Sequence, residues 1–230
     1  TGDGRPEILV AGEKDSGLYL NDGQGKFKLV PGKLTEFLTR RGPYLLRATR
    51  ADFDNDGRPD LVVTNPRLGL AAVFQNKGDG AFEQILSLSG CWDSNPVAIA
   101  DLDNDGRLDL VIGGSTDKDA KTDITLYRNT TKAAGRYLKI EPRMPAPNPY
   151  AVGAVVEVFG ADEIEKPNAR PYFVEKAHAD ATPVHVGLGA RRTCDVRVTF
   201  PGGKVVVARG VAGDQTVTVD RETGKVTNGK

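Results

Sequence analysis

Short runs of apolar residues alternate with polar turns along the first half of the chain. One such run follows each of three Gly-Arg pairs, at Ile8–Val10, Leu61–Val63 and Leu110–Ile112. The runs recur at an interval of about fifty residues. Leu61–Thr64 is a continuous apolar run rather than an alternating one, which is typical of a β-strand that is buried on both faces.

A second element, with an Asn at its end, follows each apolar run, at Leu18–Asn21, Val73–Asn76 and Leu126–Asn129. The strands predicted for the second copy are Leu61–Thr64, Ala72–Asn76, Phe82–Leu86 and Val97–Ala100. Four short strands in a unit of this length predict a blade of a β-propeller, and a solenoid of similar period is the alternative.

The repeats predict a partial β-propeller of about three blades over residues 1–135. Three blades are too few to close a ring, since propellers have four or more. The Asp-rich loop of the first copy would begin before Thr1, and the third copy lacks the Gly-aromatic element seen at Gly25–Phe27 and Gly80–Phe82. We therefore expect the chain to be a C-terminal fragment of a longer protein.

A different pattern begins at about residue 136, where apolar and polar positions alternate. Val196, Val198 and Phe200 alternate with polar residues before a turn at Pro201–Gly203. Further strands are predicted at Ala154–Phe159, Val184–Leu188, Lys204–Val207 and Gln215–Val219. The sequence therefore predicts a small β-sandwich-like domain over residues 136–230.

The chain as a whole is predicted to be all-β. Gly (27 residues) and Pro (14 residues) lie in turn-like clusters, and helical periodicity is hard to find. The segment Pro142–Pro149 holds four prolines, which indicates a stiff connector.

Charge and hydropathy exclude two kinds of partner. Lys+Arg and Asp+Glu both number 31, so there is no electrostatic argument for nucleic acid or for an anionic membrane surface. The sequence contains no apolar run long enough to span a bilayer. Cys91 and Cys194 lack metal-type spacing, and a disulfide between them is possible but unsupported, so cysteine usage does not indicate a compartment.

Aspartates fill the loops in front of the second and third apolar runs. Counted from its first Asp, each loop carries carboxylates at positions 1, 3, 5 and 9, namely Asp52, Asp54, Asp56 and Asp60 in one loop and Asp101, Asp103, Asp105 and Asp109 in the other. Calcium prefers six to eight hard oxygen ligands in a flexible geometry. Alternate residues of a tight loop direct side chains 1, 3 and 5 towards one point, so Ca²⁺ is the predicted ligand of both loops.

Other positions of the loops agree with this prediction. Gly57 and Gly106 at position 6 permit a sharp turn, and Arg58 and Arg107 at position 7 can offer backbone carbonyl oxygens. The first copy offers only Thr1, Asp3 and Glu7, and we expect it to be a weaker site.

The loops have two other possible interpretations, an EF-hand and metal-free turns. An EF-hand needs Glu at position 12 on a helix, whereas Val63 and Ile112 occupy that position in apolar runs. Solvated Asp-Gly turns without metal are the plainer alternative, which the recurrence of the pattern disfavours. Ligand sets made only of Asp do not suit zinc, so a structural calcium ion is predicted rather than a catalytic metal.

The sequence holds no recognisable catalytic motif. His178 and His185 are the only histidines, and His185 lies in an apolar strand pattern that favours a core or edge role. Asn129–Thr131 is a formal N-glycosylation sequon, and Trp92 is predicted to pack between blades. The protein is therefore predicted not to be an enzyme.

The stretch from Asp52 to Val63 and its two relatives resemble FG-GAP repeats of the VCBS type over residues 1–129. The resemblance implies integrin-like propeller blades with calcium in the Asp-rich loop. Asn148–Val158, His185–Gly189 and Val196–Gly203 resemble the ASPIC/UnbV domain that follows FG-GAP repeats in cartilage acidic protein and in bacterial secreted relatives. Phe200 and Val186 depart from the Trp and the aromatic residue usual in that domain.

These resemblances imply a secreted or cell-surface protein that binds calcium and acts in adhesion or ligand binding. The expected partner is an unidentified protein or glycan. A carbohydrate-active, lyase-like propeller or its accessory module is one alternative, because similar calcium propellers occur in lyases. A structural spacer without any ligand is the other.

Overall fold

The computed structural model describes residues 5–11, 15–40, 46–65, 69–89, 96–114, 123–132, 134–177 and 182–228. Its elements are eighteen strands and one short helix, so the protein is all-β as predicted. The chain forms two compact units. The first comprises residues 1–53 and 58–131, and the second comprises residues 54–57 and 132–230.

The first unit contains three antiparallel sheets, one for each copy of the repeat. Sheet 1 comprises β1 (Ile8–Val10), β2 (Gly17–Asn21) and β3 (Phe27–Val30). Sheet 2 comprises β4 (Arg47–Ala51), β5 (Asp60–Asn65), β6 (Leu70–Gly78) and β7 (Ala81–Ser89). Sheet 3 comprises β8 (Val97–Ala100), β9 (Asp109–Gly114) and β10 (Asp123–Tyr127).

Among the described residues sheet 2 alone has four strands, but one of the four predicted for this copy is wrong: Val97–Ala100 is β8 of sheet 3, and β4 takes its place in sheet 2. Its order β4-β5-β6-β7 is an antiparallel meander, which confirms the blade-like unit. In the described part of the chain, sheets 1 and 3 have three strands each, because the strand in front of each Asp-rich loop joins the sheet that follows the loop. Within the residues that the structure describes, sheet 1 contains no strand equivalent to β4 and sheet 3 contains none equivalent to β7, and the sequence has no Gly-aromatic turn after β10.

The two faces of each sheet carry different sets of side chains. The front face carries the first and third residues of the apolar run (Leu61 and Val63 in sheet 2), and the back face carries the middle residue (Val62). The front face of sheet 2 packs in one cluster with Leu18 of sheet 1. Its back face packs in another cluster with Leu110 of sheet 3. Since Val62 and Val63 are at most 1% exposed, the prediction of a strand buried on both faces is confirmed.

A helix, α1 (Lys33–Arg40), lies between sheets 1 and 2 in the sequence and was not predicted. Leu34 and Leu38 are spaced by one helical turn and are buried against the front face of sheet 2, and Phe37 contacts the ring of Phe74 at 5.2 Å. The sequence signal was weak because the helix is only eight residues long. None of the described helical segments is long and apolar enough to cross a membrane.

The second unit is a β-sandwich of two four-stranded sheets. One sheet comprises β14 (Val184–Gly189), β11 (Arg136–Arg143), β17 (Gln215–Asp220) and β18 (Val226–Asn228) in that order, with β11 and β17 parallel. The other comprises β13 (Phe173–Lys176), β12 (Val155–Gly160), β15 (Thr193–Thr199) and β16 (Val205–Ala212).

The inward residues of both sheets form one core that includes Ile140, Val156, Val186, Val198 and Val217. Alternate residues point inward along each strand, as the sequence pattern predicted. Cys194 also lies in this core as a free thiol, and burial raises its pKa to about 12. Its predicted possible partner Cys91 lies outside the described residues, as do Trp92 and His178.

The prediction of a stiff connector at Pro142–Pro149 is wrong. Pro142 lies within β11, opposite Val219 of the parallel strand β17. A proline is accepted there because residues 136–143 pair with two neighbouring strands through the remaining backbone groups. The proline-rich stretch is therefore part of the sandwich. The boundary predicted between residues 135 and 136 remains a prediction.

Candidate metal centres

Both Asp-rich loops fill the corner between the first and second strands of a sheet. The loop 52–60 joins β4 to β5, and the loop 101–109 joins β8 to β9. Position 4 has a left-handed backbone in both, with φ of 57° at Asn55 and 58° at Asn104. Position 6 has φ of 91° at Gly57 and 85° at Gly106. Asn and Gly accept these angles more readily than other residues, so the repeated Asn-x-Gly sequence explains the shared turn.

Three carboxylates converge in each loop. Asp52, Asp54 and Asp60 each offer an oxygen within 4.8 Å of the others, and Asp101, Asp103 and Asp109 do the same. Two oxygens bound to one calcium ion at about 2.3–2.6 Å lie at most about 5 Å apart. The carboxylates at positions 1, 3 and 9 are therefore spaced as ligands of one calcium ion.

The other carboxylates that were predicted as ligands lie outside these two groups. Asp56 and Asp105 at position 5 are not among the converging carboxylates of the described residues. The Asp105 carboxylate instead accepts hydrogen bonds from the backbone N–H of Arg107, at 2.9 Å, and from the Arg107 guanidinium. Glu7 of the first copy is likewise outside any converging group of the described residues, and Thr1 and Asp3 lie beyond the described part of the chain.

The carboxylate at position 9 also fastens each loop to the neighbouring strand. Asp60 is fully buried and accepts the backbone N–H of Phe53 at 3.0 Å and that of Asn76 at 2.7 Å. Asp109 accepts the N–H groups of Leu102 and Asn129 at 3.1 and 2.8 Å. Buried N–H groups need such partners, so this Asp has a structural role in addition to its predicted role as a ligand.

A repeated asparagine, Asn21, Asn76 or Asn129 in the three copies, was missed as a site residue. In each copy its side-chain amide donates to the carbonyl at position 8 of the loop, which belongs to Pro6, Pro59 or Leu108. The distances are 3.2, 3.1 and 3.1 Å. The signal in the sequence was the recurrence of Asn at the end of each second element.

The arginine at position 7 has a role beyond its predicted backbone carbonyl. The Nε atoms of Arg58 and Arg107 donate to the carbonyl oxygens of Asn76 and Asn129, at 3.2 and 3.0 Å. Each arginine head group thus connects the loop to the end of the element that follows the apolar run.

The sequon asparagine is engaged inside the first unit. The Asn129 amide nitrogen donates to the carbonyl of Phe53 at 2.7 Å as well as to that of Leu108. A glycan on that nitrogen would leave it a single N–H, so at least one of these two bonds would be lost. The structure therefore disfavours glycosylation at Asn129 in the folded state.

The tip of the loop 52–60, residues 54–57, is part of the second compact unit. The carbonyl oxygens of Asp54 and Asn55 accept the N–H groups of Gly135 and Gly189, both at 2.7 Å. The Asn55 side chain is hydrogen-bonded to Nε2 of His185 at 2.8 Å. A Cβ atom at Gly135 would lie 2.4 Å from the Asn55 carbonyl oxygen, so this approach requires glycine.

His185 is an edge histidine with a structural environment, which agrees with the role favoured by its sequence. Its ring stacks on Tyr137 with centroids 5.7 Å apart and an interplanar angle of 6°. Together with the bond to Asn55, this contact fixes the orientation of the imidazole.

The loop 101–109 has a different cationic neighbour. Arg128, just after β10, lies with its guanidinium 2.5 Å from Asp103 and 3.8 Å from Asp105. The corresponding position in the second copy is the neutral Gln75. A positive charge therefore lies beside the carboxylates of one loop and not at the matching position of the other.

Comparison with protein-family models identifies both parts of the chain. Residues 1–63 and 52–112 match the model of the FG-GAP-like repeat, and residues 144–226 match that of ASPIC and UnbV. This chain is an FG-GAP repeat protein with a C-terminal ASPIC/UnbV domain. The family resemblance predicted from the sequence is confirmed. FG-GAP repeats are typical of extracellular or surface proteins with propeller-like folds.

Comparisons with individual proteins add little to this assignment. A search of curated proteins found no match. A solved structure described as the basis of specific recognition of non-reducing terminal N-acetylglucosamine by an Agrocybe aegerita lectin is 16% identical, with a TM-score of 0.35. The match covers 93% of this chain and 49% of that one, so this FG-GAP protein spans about half its length. A TM-score this low supports no conclusion about fold or ligand.

Proposed function

We propose that this FG-GAP protein is an extracellular calcium-binding module in which the ions are structural and which acts in adhesion or ligand binding. The observation that carries the proposal is the convergence of three carboxylates in each of two loops. Two unrelated turns would rarely bring the same loop positions together. The recurrence therefore supports a shared ligand.

The donor set favours calcium over other common ions. Carboxylate oxygens suit hard cations, whereas zinc prefers His and Cys ligands. Magnesium requires a near-ideal octahedron with bonds of about 2.0–2.1 Å, and calcium tolerates irregular loops. The calcium sites of extracellular modules have Kd values of about 10⁻⁴–10⁻³ M, so calcium outside the cell would fill such loops.

The hydrogen bonds made by the position 9 carboxylates favour a structural role for the ion. Asp60 already connects its loop to Asn76 of β6, and Asp109 connects its loop to Asn129, just after β10. A bound ion would neutralise the repulsion among converging carboxylates and link positions 1 and 3 to that same anchor. We accordingly propose a binding protein rather than an enzyme.

Thermal unfolding in calcium, magnesium and EDTA tests the structural role. With calcium at a concentration tenfold above Kd, each occupied site adds about 1.4 kcal/mol to the free energy of unfolding. Two sites should therefore raise Tm by roughly 5–10 °C. The double variant Asp52→Asn/Asp101→Asn should lose most of this increase. Asp79→Asn, an exposed Asp in the β6–β7 turn, serves as the control and should retain it. Equal Tm values in calcium and EDTA would contradict the proposal.

Binding to immobilised glycans and extracellular-matrix proteins, with calcium and with EDTA, tests the adhesive role. We expect calcium-dependent binding to at least one class of ligand, lost in the double variant. Assaying the same glycans for β-elimination distinguishes a binding module from a lyase. Release of unsaturated sugars would refute the non-enzymatic proposal, and absence of all binding would favour a spacer.

A further inference from the structure

The two sheets of the second unit have different outward faces. Val174, Val205 and Val207 lie outward on the sheet β13-β12-β15-β16 and are 46%, 50% and 38% exposed. On the central strands of the other sheet, the outward positions beyond Tyr137 carry polar or charged side chains. They are Lys139, Glu141 and Arg143 on β11 and Thr216, Thr218 and Asp220 on β17. This second face lacks the apolar side chains that form the centre of a typical protein–protein interface.

An exposed aromatic ring lies at one end of this polar face. Tyr150 is 46% exposed, and the guanidinium carbon of Arg143 lies 4.8 Å from the centre of its ring. The Asn148 side chain donates to the carbonyl of Val152 at 3.0 Å and accepts its N–H at 2.9 Å, and Ala151 is fully buried. The loop therefore presents the Tyr150 ring on a fixed backbone, so a ligand that stacks on it has little to order.

The hydrogen-bonding groups next to the ring have atoms to spare. Nη2 of Arg143 donates to Oε2 of Glu141 at 2.9 Å. Among the described residues this is the only hydrogen bond that either side chain makes, so Nε and Nη1 of Arg143 and Oε1 of Glu141 remain for a ligand. The two side chains are 33% and 26% exposed. Donors and an acceptor thus lie side by side beside an aromatic ring.

This combination fits a sugar better than it fits an ion or a peptide. A hydroxyl group both donates and accepts, so neighbouring hydroxyls of one sugar ring can bond a guanidinium and a carboxylate together. The apolar C–H face of the same ring can lie on an aromatic side chain. Glu141 offsets the charge of Arg143, which leaves little net attraction for an anion. Thr218 lies beside Glu141, and Thr216 beside Lys139, so polar groups continue along the face.

We propose that Tyr150, Arg143 and Glu141 form a binding site for a neutral glycan on the outward face of the sheet β14-β11-β17-β18. Tyr150 stacks on a sugar ring, and the Arg143 and Glu141 side chains bond the hydroxyl groups of that ring. The site goes beyond the calcium proposal and does not require it, since none of its residues belongs to the loops 52–60 and 101–109. An open site of this kind binds a short glycan weakly, with Kd of about 1 mM.

NMR titration of the ¹⁵N-labelled chain with soluble tetrasaccharides tests the proposal. The probes are cellotetraose, mannotetraose and galactotetraose, with tetragalacturonate as the anionic comparison. At least one neutral probe should shift the resonances of residues 139–143, 150 and 216–218, in calcium and in EDTA alike. Tyr150→Ala should weaken this binding about tenfold through loss of the stacked ring, and Glu141→Gln about threefold through loss of a charged acceptor. Phe27→Ala removes a similarly exposed ring (42%) from the first unit and should bind like wild type.

The proposal is overturned if no neutral probe shifts these resonances, if tetragalacturonate alone binds, or if Tyr150→Ala binds as tightly as wild type. It is also overturned if the calcium-loop variant Asp52→Asn/Asp101→Asn loses the glycan. Thermal unfolding of Tyr150→Ala should show the full calcium-dependent rise in Tm, which confirms that this variant is folded. The calcium proposal and the glycan proposal can therefore fail separately.

Discussion

The loops 52–60 and 101–109 share a sequence pattern and a backbone turn but differ in their surroundings. Asn55 at position 4 is 1% exposed and hydrogen-bonded to His185, whereas Asn104 at the same position is exposed. The carboxylates of the second of these loops have the guanidinium of Arg128 beside them. Two copies of one sequence motif can therefore form sites with different surroundings.

The difference bears on calcium affinity. The loop 52–60 is held in place by hydrogen bonds from its tip to Gly135 and Gly189, so binding an ion there needs less ordering. In the loop 101–109 an ion must compete with an arginine for Asp103. We expect calcium to bind more tightly to the loop 52–60.

The largest effect is expected from removing the buried anchor of each loop. Asp60→Ala leaves the N–H groups of Phe53 and Asn76 without their carboxylate partner, and should lower the free energy of unfolding in EDTA by about 3 kcal/mol. Asp109→Ala should cost about 2 kcal/mol, since its partners are less deeply buried. Urea denaturation measures both, with the exposed Asp103→Ala as control, and equal losses in all three variants would contradict the anchoring role.

The next largest effect is expected at position 4, where the same substitution should destabilise the two loops to different extents. Asn55→Ala should cost about 2–3 kcal/mol, because alanine disfavours the left-handed backbone and the bond to His185 is lost. Asn104→Ala retains only the backbone penalty of about 1 kcal/mol. The comparison uses chemical unfolding in EDTA. Identical values for the two variants would show that the tip contacts do not stabilise the loop 52–60.

Exchanging Arg128 and Gln75, the equivalent residues beside the two loops, tests how a positive charge affects calcium affinity. Arg128→Gln should tighten calcium binding at the loop 101–109 about fivefold, which is the scale of an exposed ion pair. Gln75→Arg should weaken binding at the loop 52–60 by a similar factor. Calorimetric titration at low and high salt measures both. Unchanged affinities, or changes that persist undiminished in high salt, would argue against electrostatic competition.

The smallest effect concerns an Asp-containing turn outside the two loops. Backbone and side-chain hydrogen bonds from Thr223 hold the pKa of Asp220 below its ordinary value of 3.8. Because the folded-state pKa is lowered, its contribution to stability is present above that value and is lost as pH falls below it. In Asp220→Asn, the free energy of unfolding should decrease slightly less as the pH is lowered, and calcium binding should not change. Altered calcium stoichiometry in this variant would undermine the assignment of the sites to the two loops.

The aspartate spacing indicated carboxylates that lie close together in each loop, apart from position 5, but it did not indicate how the two loops differ. Spacing alone brought together Asp52, Asp54 and Asp60, because local turn geometry decides where those side chains point. The position of Arg128 depends on the register between β9 and β10, and the partner of Asn55 is 130 residues away. Such contacts are set by tertiary packing, which no local pattern records.

The same distinction applies to the fold. The apolar runs and alternating strands predicted both all-β units, since burial on one or two faces has a local signature. The helix at Lys33–Arg40 was missed because its stability comes from burying Leu34 and Leu38 under neighbouring strands. Pro142 misled the prediction because a strand can accept proline where its other groups are paired.

Calorimetric titration of calcium into the metal-free chain and into two matched variants, Asp54→Asn and Asp103→Asn, tests the central claim most directly. We predict two calcium ions per wild-type chain, with the tighter site lost in Asp54→Asn and the weaker site lost in Asp103→Asn. Absence of binding heat in the wild type, or two ions bound by either variant, would contradict the assignment of calcium to these loops.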